Sequence, residues 1–116
     1  MMDHSNTFVK ELTEANFEKY INSNSNVMID FWASWCEPCK KMRPDYEAAA
    51  KHMEEKEKST GLMFMSLDIN AEEDITTRHN IKAMPTIVLY KNGVIVDRLE
   101  GRKTKDQILE LIHKYF

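Results

Sequence analysis

The chain has 116 residues, of which 42% are hydrophobic and 30% charged, and its formal net charge is −3. That length supports one domain with one hydrophobic core and no need for staples. The slight acidity excludes the basic footprint of a nucleic-acid binder, and no apolar run approaches the ~20 residues that span a bilayer.

The opening from Met1 to Thr7 is polar and lacks the apolar stretch of a secretory signal. It reads as a short flexible tail, with residues 8–116 forming a single domain. A strand is expected from Phe8 to Leu12. Thr13 then caps a helix whose apolar stripe is Phe17, Tyr20 and Ile21. Asn22 to Asn26 is a loop by composition. Val27 to Trp32 is nearly continuous apolar sequence, as a strand covered on both faces requires, and Asp30 is its one acid. A long helix follows from about Pro38, a residue suited to a first turn. Pro44 removes a backbone donor inside that helix and is expected to kink it.

Gly61 ends the helix after the charged run Glu54 to Lys58, which reads as a solvated end. Leu62 to Ile69 is a second strong strand, and Asp74 to Asn80 a short helix. Thr86 to Tyr90 and Val94 to Leu99 are strands joined through Asn92-Gly93, a strong hairpin signal. Thr104-Lys105-Asp106-Gln107 is a capping box opening a last helix with Ile108, Leu111, Ile112 and Tyr115 on its buried stripe. Alternating strands and helices favour parallel pairing, whereas the hairpin demands antiparallel pairing. The predicted fold class is therefore α/β with a mixed sheet. The four histidines are assigned to the surface.

The only two cysteines lie in Trp35-Cys36-Glu37-Pro38-Cys39, immediately after the apolar strand. A pair at this spacing places the first sulfur at a helix N-terminus, where unpaired N–H groups and the helix dipole stabilise a thiolate. The second lies about one turn further on, close enough to close a small disulfide ring. A bridge over so short a loop is a poor structural cross-link. A closed zinc site needs four ligands, and His4, His52, His79 and His113 show no ligand spacing. Redox exchange is the favoured use, with zinc binding and inert structure as the alternatives. Cys36 is the candidate nucleophile with an exposed sulfur, and Cys39 is the more shielded resolving thiol.

Several motifs together make the chain resemble the thioredoxin family. They are Asp30-Phe31-Trp32-Ala33-Ser34-Trp35-Cys36-Glu37-Pro38-Cys39-Lys40, Pro44, Met84-Pro85-Thr86, Asn92-Gly93 and Gly101, and the likeness runs from Phe8 to Phe116. The resemblance implies a thioredoxin fold, a five-stranded mixed sheet flanked by four helices, and reduction, oxidation or isomerisation of protein disulfides. It implies that Asp30 is buried behind the cysteines with its pKa raised toward neutrality, as a base for the Cys39 proton. It also implies that Pro85 is cis and packs against the disulfide. Trp35, Met84, Pro85 and Gly101 then border a substrate-binding patch, and the Met84 backbone can pair with an extended substrate. Trp32 packs beneath the site.

Three departures stand out. Glu37 occupies a position where many thioredoxins carry glycine. Ser66 stands where a lysine often accompanies the buried acid, which removes one force favouring its ionised form. The long helix is several residues longer and resembles protein disulfide isomerase domains. The Cys-Glu-Pro-Cys sequence itself resembles thioredoxin-like proteins of cytochrome c maturation. Glu37, Pro38 and Pro85 are thus the expected redox-tuning residues. A carboxylate ~6 Å from a thiolate in a largely aqueous setting costs it ~0.7 kcal/mol, so Glu37 should make the couple more reducing.

The leading expectation is a protein-disulfide reductase whose redox group is its own Cys36–Cys39 disulfide, with no other cofactor and no metal. Its expected partners are disulfide-bearing proteins and a thioredoxin reductase or other dithiol donor, with neither nucleic acid nor membrane. A monomer in the cytoplasm is expected, or a periplasmic or ER-lumenal protein if a signal segment was removed. The alternatives are an isomerase-like or cytochrome c maturation-like oxidoreductase of an oxidising compartment, and a non-enzymatic binding module on the same fold.

Overall fold

A computed structural model describes residues 8–116; the expected tail, residues 1–7, lies outside the described residues. The strands are β1 (Val9–Glu11), β2 (Val27–Trp32), β3 (Met63–Asp68), β4 (Thr86–Lys91) and β5 (Val94–Glu100). The helices are α1 (Phe17–Tyr20), α2 (Glu37–Lys56), α3 (Glu73–Arg78) and α4 (Lys105–Tyr115). The strands form one sheet in the order β1-β3-β2-β4-β5. β3 runs parallel to both β1 and β2, and β4 is antiparallel to β2 and β5. The sheet is therefore mixed, as the element order requires.

β2 is central and every one of its residues is buried. Its alternation divides the core between two faces. Met28 packs with Met42, Tyr46, Ala49 and Met53 of α2 and Ile108, Leu111 and Ile112 of α4. Val27, Ile29 and Phe31 point the other way, among Leu12, Met65, Leu67, Ile75, Val88 and Tyr90. Asp30 follows Met28 on the α2 face. The capping box forms as expected, with Gln107 N–H donating to Thr104 Oγ1 and Thr104 N–H to Gln107 Oε1. Asn92 and Gly93 both take positive φ in the hairpin turn. A Cβ on Gly93 would run into the backbone of Asn22, which makes glycine necessary there.

Three expectations need correction. α1 starts at Phe17, because Thr13 and Asn16 are occupied with one another: Thr13 N–H donates to Asn16 Oδ1 (2.7 Å) and Asn16 N–H to Thr13 Oγ1 (3.2 Å). His79 is buried, not superficial. Its Nδ1 lies 2.7 Å from the Ile75 carbonyl and its Nε2 2.6 Å from the Tyr90 hydroxyl, and its ring packs on Phe17 and Phe31. The run at the end of α2 is not wholly solvated either. Glu57 receives the imidazoles of both His52 (3.0 Å) and His113 (2.8 Å), tying α2 to α4 and holding its own carboxyl below the usual range.

Candidate active site

The chain leaves the carboxyl end of β2 at Trp32 and turns at once into α2. Cys36 N–H donates to the Ala33 carbonyl (3.1 Å), closing the turn, and Cys36 has extended backbone (φ −95°, ψ 107°) as the N-cap of α2. Pro38 fits the first turn, where no intrahelical acceptor exists for the N–H it lacks. The Cys39 N–H, one of the donors a helix start leaves unpaired, points at Cys36 Sγ (3.2 Å). Cys36 and Cys39 are joined as a disulfide, with Cα atoms 5.3 Å apart.

Both cysteines are more covered than expected. Cys36 is 4% exposed and Cys39 1%. The order of shielding is as anticipated, but the expected open sulfur is not there. The disulfide sits in a small apolar cluster with Trp32 and Ala33, against which Ile69 and Met84 pack. Trp32 lies beneath the site, as the sequence suggested.

The Met84–Pro85 peptide is cis. Its surroundings are held by bonds to backbone carbonyls: Gly101 N–H donates to the Pro85 carbonyl (2.9 Å), and the Thr86 hydroxyl Oγ1 donates to the Ala83 carbonyl (2.6 Å). Gly101 therefore borders the proline turn. Trp35 is 64% exposed, an unusual position for so large an apolar side chain. Its indole Nε1 donates to Asn70 Oδ1 (3.0 Å), which anchors the ring. Asn70 escaped the sequence reading; its one visible signal is the Asp68-Ile69-Asn70 turn after β3. Glu37 is solvent-facing at N1, and its Oε2 meets Lys40 Nζ at 3.2 Å. The charge near the sulfur thus has a counter-charge on the same turn of α2.

Asp30 is fully buried, and neither carboxylate oxygen accepts a hydrogen bond from a protein group. Desolvation lifts its pKa from an ordinary 3.8 to about 7, against a downward pull from Arg43. Ser66 lies opposite Asp30 in the β2–β3 register, buried and uncharged, so β3 provides no cation. The cation comes from elsewhere, which corrects the expectation of a missing counter-charge. Arg43 of α2 is buried, with Nη1 3.8 Å from Asp30 Oδ2 and Nε 2.9 Å from Glu47 Oε2. Tyr46, on the next turn, donates its hydroxyl to the Met28 (3.1 Å) and Met65 (2.7 Å) carbonyls. Arg43 was legible only as a residue one helical turn beyond Cys39.

The chemistry available at this edge of the sheet is thiol–disulfide exchange. Two sulfurs one turn apart interconvert between dithiol and disulfide, and the helix start favours the thiolate that exchange requires. The protein is a thiol–disulfide oxidoreductase whose redox centre is its own Cys36–Cys39 disulfide.

The sequence profile of the thioredoxin family matches residues 8–114, and the chain belongs to that family. It is 37% identical over 103 residues to thioredoxin 1 of Plasmodium falciparum, covering 89% of this chain and 92% of that protein. A solved structure of Plasmodium falciparum thioredoxin superposes with a TM-score of 0.79 at 36% identity, covering 92% of this chain and 99% of that one. Protein disulfide isomerase-like 1-3 of Arabidopsis thaliana is 33% identical over 107 residues, which span 91% of this chain and 17% of that protein. Family membership implies disulfide-bearing protein substrates and a reductant that restores the dithiol. Among the described residues no helix is long and apolar enough to cross a membrane.

Proposed function

We propose that the protein works as a reductase of the thioredoxin type, with Cys36 attacking, Cys39 resolving and Asp30 moving the proton between them. In the reduced protein, the Cys36 thiolate attacks one sulfur of a substrate disulfide. That S–S bond breaks, a mixed disulfide forms, and the first substrate thiolate leaves. Cys39 passes its proton to the Asp30 carboxylate and attacks Cys36, releasing the second substrate thiolate and closing the Cys36–Cys39 bond. Two electrons have then passed from protein to substrate, and a dithiol donor such as a thioredoxin reductase must return them.

The observation that carries this reading is the position of Cys36 Sγ at the N-cap of α2, accepting the Cys39 N–H, just after the strand in which Asp30 is buried. Pro38, in the first turn of α2, and the cis Pro85 act as redox-tuning residues, while Glu37 and its partner Lys40 adjust the local charge. Trp35, Met84, Pro85 and Gly101 border the patch that takes the substrate, where the Met84 backbone pairs with an extended chain. Residues 8–116 act as one monomeric domain in the cytoplasm.

The test is insulin reduction with dithiothreitol as donor, combined with a glutathione redox titration. The expected result is catalysed reduction and a potential near −270 mV, the thioredoxin range. The 20-residue α2 and the likeness to a protein disulfide isomerase-like protein favour a second reading, an oxidase or isomerase. A potential near −180 mV would select it. No insulin reduction at all would leave only a binding module.

A further inference from the structure

We propose that Arg43 is a positioning residue for the exchange reaction, reaching across from α2 to hold the Asp30 carboxylate in its proton-accepting form behind Cys39. This role rests on Asp30 acting as the base for Cys39. It has three supports. The guanidinium is buried and lies 3.8 Å from Asp30 Oδ2, inside ion-pair range. Asp30 accepts no hydrogen bond from the protein, so cationic charge is what can favour its ionised form at a site where burial disfavours it. And the cation is mounted on α2, four residues past Cys39, so the counter-charge and the resolving thiol share one rigid helix that packs on the strand bearing the acid.

The other elements packed around Asp30 bring no competing charge. β3 and β4 present Ser66 and Ile87 in register with it, and the α4 residues in this core face are apolar. From α2, Tyr46 presents a hydroxyl that is pushed well above its ordinary pKa and so stays neutral. The one opposing influence is Glu47, 2.9 Å from Arg43 Nε and partly exposed. It draws the guanidinium charge toward solvent and away from Asp30. Asp30, Arg43 and Glu47 thus form a graded chain from the buried base to the surface, in which Glu47 moderates what Arg43 does.

The experiment is a carboxyl NMR titration of Asp30 in the oxidised protein, paired with the pH profile of mixed-disulfide resolution in single turnovers with a disulfide peptide. Arg43→Met should move the Asp30 midpoint up by about one pH unit or more. Resolution should slow about fivefold at pH 7 for the first unit of that shift and recover at alkaline pH, which a merely damaged fold would not do. Arg43→Lys should restore most of the profile. Glu47→Gln should move the midpoint the opposite way, downward, and this variant keeps the test valid if Arg43→Met fails to fold. In an Asp30→Asn background, Arg43→Met should leave the resolution profile unchanged. An Asp30 midpoint indifferent to both Arg43→Met and Glu47→Gln, with Asp30→Asn still slowing resolution, would overturn the role of Arg43. Unaltered resolution in Asp30→Asn alone would instead overturn the assignment of Asp30.

Discussion

The sheet buries one titratable cluster on each face, and the two are built on opposite terms. On the α3 face, both ring nitrogens of His79 are engaged, its carbonyl accepts from Arg98 Nη1 (2.9 Å), and aromatic rings surround it. On the α2 face, Asp30 accepts no protein hydrogen bond and has a cation at 3.8 Å, beyond hydrogen-bond length. A satisfied buried network specifies and rigidifies a core. A buried acid left without a hydrogen-bond partner is held far from its ordinary pKa, the condition that the proposed base role of Asp30 requires. Their pH signs also oppose. The raised pKa of Asp30 makes the fold lose stability as pH climbs from about 4 to about 7. Burial lowers the pKa of His79, so its contribution is present above the ordinary imidazole value of 6.5 and is lost as pH falls.

The largest effects should separate the two faces by function. Cys36→Ser should reduce insulin turnover to background while leaving the thermal transition of the reduced protein nearly in place. Residual turnover close to wild type would mean that the disulfide is not the redox centre. Asp30→Asn should slow resolution of the mixed disulfide about 10²-fold, the lower range for a positioned base, while initial attack by Cys36 stays fast. The same substitution should stabilise the folded protein by up to about 4 kcal/mol at pH 8 and by almost nothing at pH 4, because it removes a carboxyl whose pKa is raised from 3.8 to about 7. Urea unfolding at the two pH values checks the sign. A pH-independent difference would place the Asp30 titration elsewhere.

His79→Ala should behave in the opposite manner. It removes a ring packed against Phe17, Phe31 and Tyr90 and leaves the Tyr90 hydroxyl without its imidazole, at a cost of about 3 kcal/mol. The loss should shrink at pH 5, where the wild-type imidazole is itself a burden, and the rate of insulin reduction per folded molecule should not change. A slower redox step in this variant would join the two clusters and end the contrast.

The asymmetry between the faces also explains what could be read from the sequence. The strands, α2, the Asn92-Gly93 hairpin and the Thr104 capping box follow from local patterning, and local chemistry decided them. Cys36, Cys39 and the cis Met84–Pro85 turn came from a motif and its resemblance. Asp30 could be placed as a buried acid, but not its counter-charge. Scanning along β3 finds only Ser66, whereas the cation arrives from α2 at a sequence distance of 13 residues from Asp30. His79 was misassigned because its partners Ile75, Tyr90 and Phe31 are brought together only by the sheet and the end of α3. Cys36 is more covered than a helix-start cysteine suggests, since Ile69, just after β3, and Met84, just before β4, pack against its cluster from segments distant in sequence. Contacts between elements were the invisible part in each case.

The smallest effect concerns Glu37, where sequence and structure disagree in magnitude while agreeing in sign. Taken alone, its carboxylate disfavours a nearby thiolate by ~0.7 kcal/mol, equivalent to ~15 mV in a two-electron couple. Lys40 Nζ, 3.2 Å from Glu37 Oε2, turns that charge into a dipole whose field at the sulfur is weaker, and both groups are open to solvent screening. Because solvent screens this exposed position, Glu37→Gly should make the couple more oxidising by less than ~15 mV, leaving Lys40 uncompensated. Lys40→Ala should act in the reverse direction, making it more reducing, because it leaves Glu37 uncompensated. Glutathione titrations of the two variants at low and at 0.5 M salt decide the matter: the shifts should be opposite in sign at low salt and converge on wild type as salt rises. Shifts of the same sign would show that the helix start responds to something other than the charge of this exposed pair.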